Sequence, residues 1–502
     1  MTTAAGRPAT LGLDVGTSAT KGVVLAVDGT VLASASADYP LLTPRPGWSE
    51  QAPEDWWAAC REVCRELVAA TDAEILGVGL SGQMHGSVFL DRQGEVIRPA
   101  LLWNDARTGA ECAEIERRLG RERVVAITGN RASAGFQAPK ILWLERHEPD
   151  AHRRIAHVLL PKDFVRFRLT GDLASDAADA SGTLLLDLRT RRYSEEMMAA
   201  LGVPRQWLPD VFESPEVTGR VSAAGAAATA LPEGVPVVAG GGDNACAAIG
   251  AGVIEEGSGI CSIGTSGTIC LHSAAPRIDP EGALNAFCDA VPGGWHLMGV
   301  ILSAGGCLRW FQDALAPNEA GGFEALLQAA AEVPPGAEGL LFLPYLAGER
   351  SPHMDPDARG GWLGLSLAHD RRHMVRALVE GVGFAFRDCL ERMRGLGLEP
   401  PELTLVGGGA QSPAWRRLLA AQLDLPLIGA ASGEGPALGA AILAATGAGL
   451  QQDLAAAVRA SLPAAGAAER PDAALAPTYR QLHARWGKLY PALRAAGLFG
   501  PA

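Results

Sequence analysis

The 502-residue sequence predicts an α/β protein built as two similar lobes around a shared cleft. Three observations predict it. The chain is too long for one ordinary core, so two domains are the natural expectation. Apolar strands alternate with amphipathic helices in two successive series. Each series opens on the same kind of turn, GTSAT at 16–20 and GTSGT at 264–268. Gly, Thr and Ser are common turn residues, but two copies at corresponding points suggest an internal duplication. One hairpin from each lobe would then face the cleft.

The elements follow in chain order. LGLDVGTSATKGVVLAVDGTVLASASADYPL, from Leu11, alternates as strands do, with turns at Gly16-Thr17-Ser18 and Asp28-Gly29. PEDWWAACREVCRELVAA, from Pro53, has helical spacing and acidic residues in its first turn. Cys60 and Cys64 lie one turn apart there, as on a buried helix face. ILGVGLSG is a further strand, and the α/β alternation runs to about residue 250. The second series comprises GICSIGTSGTICLHS from Gly259, WHLMGVILSAGG, a long Ala-rich helix, and the strand LTLVGGGAQ at 403–411. Residues 334–362 are loop-rich yet too apolar for a linker, and read as ordered surface near the cleft. ASGEGPALGAAILAATGAG reads as a Gly-rich turn opening an Ala-rich helix, and residues 450–502 as terminal helices. The expected units are 1–250 and 251–502.

Composition removes several functions. The 48% hydrophobic and 20% charged residues fit a soluble globular chain. A net charge of −13 argues against a nucleic-acid surface. The N-terminus has no apolar signal region, and no apolar run is long enough to span a bilayer. Nine cysteines without a CxxC pair read as reduced core residues of a cytoplasmic protein. The lysines are Lys21, Lys140, Lys162 and Lys488. A P-loop needs a Gly-Lys pair, and Gly487-Lys488 is followed by Leu489 with Leu482 in place of the first glycine, which excludes it.

The motifs point to polyphosphate and a polyhydroxylated ligand. Gly-Thr-Ser turns offer amides and hydroxyls to phosphate oxygens. Asp14, just before the first turn, suits a Mg²⁺ ion held directly or through water. Lys21 adds a cation or is a plain surface lysine. The second copy has Ser262 and Ile269 at these positions, so only one lobe carries the charges. LVGGGAQSPAW and SAGGCLRWF end strands in glycine bends that let a ligand approach backbone or simply make tight turns. LSGQMHG places Met84 and His85 at a strand end, where α/β folds present ligand residues. WNDART joins an apolar face to hydrogen-bonding groups, as a sugar requires; a buried Trp beside a polar loop is the competing reading. GGGDNA, 240–245, is either a surface turn or a carboxylate at a place where backbone must come close.

Together DVGTSATK, SGQMHG, GNRASAGFQAPK, PKDFVRFRLTG, DASGTLLLD, GGGDNA, SIGTSGT, AGERSPHMDP, GGGAQSP and EGPALGAAI follow the order seen in FGGY-type carbohydrate kinases. The resemblance covers about residues 10–447. It implies two actin-like (ribonuclease H-like) lobes, ATP and Mg²⁺ between them, and phosphorylation of a sugar hydroxyl, with no nucleic-acid or membrane partner and a homodimer as the expected assembly. SGQMHG, DASGT and GERSPH point to the branch acting on D-xylulose; another ketose or pentitol is the alternative, and a non-catalytic sugar sensor the remoter one. By position, the resemblance makes Asp243 the general base and Asp14 the metal and phosphate aspartate. It assigns Thr17, Ser18, Lys21, Gly264 and Thr265 to the phosphates, and Gly305, Gly408 and Gly409 to the nucleotide side. Met84, His85, Asn104 and Asn244 are its sugar residues. Pro413 departs from the Asn found in related chains, which implies loose base selectivity.

Overall fold

The structure, a computed structural model, describes residues 6–319, 321–430, 435–463 and 466–500. The first lobe starts with a meander of β1 (Pro8–Val15), β2 (Ala19–Ala26) and β3 (Val31–Asp38). α1 (Pro53–Ala69) follows, started by Pro53 at its first helical turn with Glu54 and Asp55 beside it. Next come β4 (Glu74–Gly82) and α2 (Pro161–Thr170), then β5 (Val217–Arg220), β6 (Pro236–Val238), β7 (Gly241–Gly242) and α3 (Asp243–Gly250). The sheet order is β5-β6-β4-β1-β2-β3, with β7 also on β4. β1 runs antiparallel to β2 and parallel to β4.

The second lobe repeats this plan. β8 (Gly259–Ile263) and β9 (Gly267–Ser273) form its hairpin. β10 (Asn285–Cys288), β11 (Trp295–Ile301), α4 (Gly305–Leu315), α5 (Gly322–Ala331) and the long α6 (Arg371–Gly395) follow. β12 (Leu403–Val406), α7 (Pro413–Leu423) and β13 (Leu427–Gly429) complete the sheet, ordered β10-β11-β9-β8-β12-β13. In both sheets a strand of an opening antiparallel hairpin pairs in parallel with a later strand, β1 with β4 and β8 with β12. The expected duplication is therefore visible as a repeated topology.

Strand periodicity explains how β1 serves two layers. Leu11, Leu13 and Val15 face α1 and share a core with Trp56, Cys60, Val63, Cys64 and Leu67. Thr10, Gly12 and Asp14 point the other way. There the covering element is α8 (Gly435–Gly447), which follows the second sheet in sequence. The Thr10 hydroxyl donates to the Ala441 carbonyl at 2.9 Å. A Cβ at Gly12 would lie 2.0 Å from the Ala437 carbonyl oxygen, and one at Gly79 1.9 Å from that of Ala440. α9 (Leu454–Ser461) joins the same core with Val23 and Leu25. The expected units at 250/251 describe chain order, whereas α8 and α9 sit on the first sheet in space. Residues 431–434, expected as part of a Gly-rich turn ahead of α8, lie outside the described residues.

The segment 334–362 differs from expectation. It is surface only in part: Pro334, Glu338, Ala347, Pro356 and Arg359 are exposed, whereas Phe342 and Tyr345 are fully buried in the second core, and Glu349 and Ser351 are buried as well. The rings and aliphatic groups that seemed too many for a linker fill that core.

Candidate active site

Asp243 is the first residue of α3. The chain reaches it through β7, whose two glycines pair with Ser81 and Gly82 at the end of β4. Gly240 takes φ +71°, and a Cβ there would lie 1.8 Å from the Leu80 carbonyl oxygen. A Cβ on Gly242 would lie 2.8 Å from Met84 Cγ. Side chains here would push the segment off the sheet, so the glycines allow the close approach. Asp243 is half-buried. Its Oδ1 accepts from the Asn244 amide at 2.7 Å and from Asn244 Nδ2 at 3.0 Å. Asn244 Nδ2 also lies 3.6 Å from Met84 Sδ, which brings three of the expected residues together.

Periodicity carries Asp14 to the face of β1 shared with α8, at the strand's C-terminal end, where α/β sheets bind ligands. Asp14 is buried, and Ser81 Oγ donates to its Oδ1 at 2.9 Å. Desolvation raises its pKa to about 6, against the Ser81 bond and the charge of Lys21. Lys21 stands opposite Asp14 in the hairpin register and is exposed. Asp243 is pushed up to about 7, first by desolvation and then by the Asp14 charge, with the Asn244 bonds opposing. Both carboxylates are thus poorly solvated, and the charge of Asp14 adds to the proton affinity of Asp243.

The first turn is held by its carbonyls. Gly16 O accepts from Tyr39 OH and Gln83 Nε2, Thr17 O from Gln51 Nε2, and Ser18 O from the Tyr39 amide. In a trans peptide the N–H points opposite to the C=O, so the amides of Thr17 and Ser18 face away from this scaffold. Thr17 Oγ1 donates to Gln83 and accepts from Trp103 Nε1 at 2.9 Å. The second turn uses the same device. Gly264 O accepts from Gly305 N at 2.8 Å, and Thr265 O from the amides of Ala304 and Gly306. The Gly305 amide is therefore engaged within the protein; its contribution is closeness, since a Cβ there would meet Gly264 O at 2.5 Å.

Gly264, Thr265, Gly305, Gly408 and Gly409 meet in one pocket of about 460 Å³. Phe323, Leu327 and Trp415 supply its apolar wall, and the Arg309 guanidinium lies 4.4 Å over the Phe323 ring. Phe323 and Leu327 come from a helix face without a motif, so the sequence did not single them out; Trp415 ends the LVGGGAQSPAW bend. Pro413 starts α7, capped by the Ser412 hydroxyl on the Trp415 amide. A larger hollow on the first lobe, about 670 Å³, is lined by Arg191, Arg205, Glu213 and Asp210. Those arginines are already paired with those carboxylates.

His85 follows Met84 in a left-handed conformation, φ +67°. Its Nδ1 lies 2.8 Å from the Gly182 carbonyl, and a carbonyl only accepts, so the proton sits on Nδ1. Burial, with the charges of Lys140 and Arg350, lowers its pKa to about 3 despite the Gly182 bond. The ring is neutral at physiological pH and its Nε2 is an acceptor. Phe136 meets it edge-on at 4.7 Å. Asn104 is exposed, and among the described residues no hydrogen bond ties it to Met84, His85 or Asn244. Its neighbour Trp103 bridges to Thr17 instead. At 39% exposure Trp103 is not the buried core residue of the competing reading.

Residues 9–250 match the FGGY family of carbohydrate kinases, N-terminal domain, and residues 259–448 its C-terminal domain. Over 449 residues the chain is 42% identical to a xylulose kinase of Escherichia coli (strain K12), covering 88% of this chain and 91% of that one. It is 40% identical to a xylulose kinase of Lactococcus lactis subsp. lactis (strain IL1403), covering 96% of both. The crystal structure described as a "xyloylose kinase" from Brucella ovis superposes with a TM-score of 0.92 at 39% identity, over 97% of this chain and all of that one.

Proposed function

Because the chain belongs to the FGGY family of carbohydrate kinases, we propose that it transfers the γ-phosphoryl group of ATP to D-xylulose, giving ADP and D-xylulose 5-phosphate. Relatives named xylulose kinase at 40–42% identity over most of the chain support the sugar. The observation that carries the chemistry is the cluster of Asp243, Asn244 and Met84 facing Asp14 across one poorly solvated space.

Asp243 is the general base. A carboxylate at about 7 is about half ionised at neutral pH and basic enough to take the proton of the attacking hydroxyl. Asn244 orients it through two bonds to one oxygen, leaving the other for the sugar. Met84 supplies an apolar contact and His85 Nε2 accepts from a second hydroxyl. The amides of Thr17 and Ser18 and the second turn hold the phosphates from opposite sides. The pocket walled by Phe323, Leu327 and Trp415 takes the base of ATP. Phosphoryl transfer has a loose transition state, so alignment and charge stabilisation do most of the catalysis.

Asp14 fits Mg²⁺. Among the described residues no group of three or more His, Cys, Asp or Glu could hold a metal alone. One desolvated carboxylate, with phosphate oxygens and water completing the shell, is the donor set that Mg²⁺ favours. When bound, the ion neutralises charge on the phosphates. Nine unpaired cysteines support a reducing, cytoplasmic setting.

The test is an ADP-release assay over a panel of ketoses and pentitols. D-xylulose should give the highest kcat/KM, and Asp243→Ala should lose at least about 10³-fold while still binding ATP. No turnover of any sugar, with sugars nonetheless protecting the protein from heat, would replace the enzyme with a sensor.

A further inference from the structure

Lys140 is fully buried on the helix Gln137–His147, and the proposed reaction does not use it. Its Nζ donates to the His85 carbonyl at 2.8 Å and to the Gly135 carbonyl at 2.6 Å. One turn earlier, Gln137 Nε2 donates to the Gly86 carbonyl at 3.1 Å. Two side chains of one helix therefore grip two successive carbonyls of the sugar loop.

That loop needs gripping. The Gly86 amide donates to the Met84 carbonyl at 2.9 Å, and the residue between them, His85, has φ +67°. A hydrogen bond spanning two residues around a positive φ makes a γ-turn of the rare, strained kind. A non-glycine residue stays there only where its surroundings over-determine it. The turn fixes the ring: Nδ1 is held on Gly182, and the ring lines a small hollow with Phe136, Phe287 and Arg350. Gly135, the second carbonyl on Lys140, lies against the sugar-side loops as well. A Cβ there would meet the Trp103 carbonyl at 2.6 Å and Arg350 Nη2 at 3.8 Å.

From this geometry we infer that Lys140 is a positioning residue for the sugar, holding His85 in its γ-turn and the 133–136 loop against it. It acts through His85 and touches neither ATP nor the reacting oxygen. Burial lowers the pKa of Lys140 to about 7, partly offset by the Asp105 charge. Neutral or charged, an amine keeps the two N–H groups that the carbonyls need.

The inference rests on the sugar-kinase reading, so wild-type turnover is measured first. If D-xylulose is not turned over, that reading of the substrate fails and the comparison uses whichever sugar of the panel is. Lys140→Met should raise the sugar KM at least tenfold while the ATP KM stays within twofold. Lys140→Gln, which keeps two N–H donors, should fall between. His85→Ala should cost tenfold or more in kcat/KM alone, but under threefold on top of Lys140→Met, because the ring is already misdirected. A sugar KM within twofold of wild type, additive effects of the two substitutions, or equal rises in both KM values would overturn the inference. Failure of both Lys140 variants to fold would assign the residue to the fold alone and overturn it too.

Discussion

Asp243 and Asp14 set the behaviour of the site at the level of single groups. Both are held above the ordinary 3.8, to about 7 and about 6. The base works ionised, so kcat/KM should fall about tenfold per pH unit below about 7. The same shift makes a statement about stability with a definite sign. Between 3.8 and about 7 the folded form binds more protons at Asp243 than the unfolded form does. Its contribution is therefore fully present below 3.8 and is lost progressively as pH rises from there through about 7. Asp243→Asn should unfold later than wild type at pH 8, by about 1–3 kcal/mol after solvent screening of a half-buried group, and by less than half as much at pH 5. Urea melts at the two pH values check it, and a variant less stable at pH 8 would count against the raised pKa. The aspartates were legible in the sequence because each adjoins a glycine turn of unusual composition. Asn104 was read as a sugar residue from its neighbours' chemistry, and the structure leaves it exposed. The indole beside it reaches Thr17 in the first Gly-Thr-Ser turn, a pairing across 86 positions that spacing cannot reveal.

Among the elements, both Gly-Thr-Ser hairpins were readable, since that turn between alternating apolar runs is a local signal. What holds them is not local. Gln51, Tyr39 and Gln83 come from three separate segments to bond the first turn. Helix wall residues were likewise hidden, because Phe323 and Leu327 look like any apolar face until α5 is placed beside the second turn. Phe323→Ala should raise the ATP KM several-fold and leave the sugar KM within twofold, a split that steady-state kinetics with each substrate varied would show. Helix α8 meets its partners through glycine. A Cβ on Gly439 would lie 1.9 Å from the Cys246 carbonyl oxygen in α3. Gly439→Ala forces two backbones apart and should destabilise by about 1–3 kcal/mol, read by thermal unfolding. Because α3 begins at Asp243, turnover should fall further than stability alone explains.

At the scale of the molecule, one sheet topology occurs twice, and only the first Gly-Thr-Ser turn is flanked by charges, Asp14 and Lys21. The repeat was readable from two five-residue turns. The path of the chain afterwards was not. α8 and α9 follow the second sheet and return to cover the first, burying Val23, Leu25 and Val238 with Ile442 and Leu443. Nothing in a run of alanines says which of two similar sheets it will cover; its complement is a sheet face lined by Gly12 and Gly79, far earlier in the chain.

That return has a consequence for how the gene can be divided. A fragment ending at residue 250 would hold every carboxylate proposed for catalysis yet lack the roof of its own sheet. It should be insoluble by itself, whereas fusing residues 435–463 behind it by a flexible tether should restore a soluble, compact unit. The second half cut at 251 would carry those helices as an unattached apolar appendage. The duplication is plain in topology, but its two products have become interlocked and are inherited as one piece.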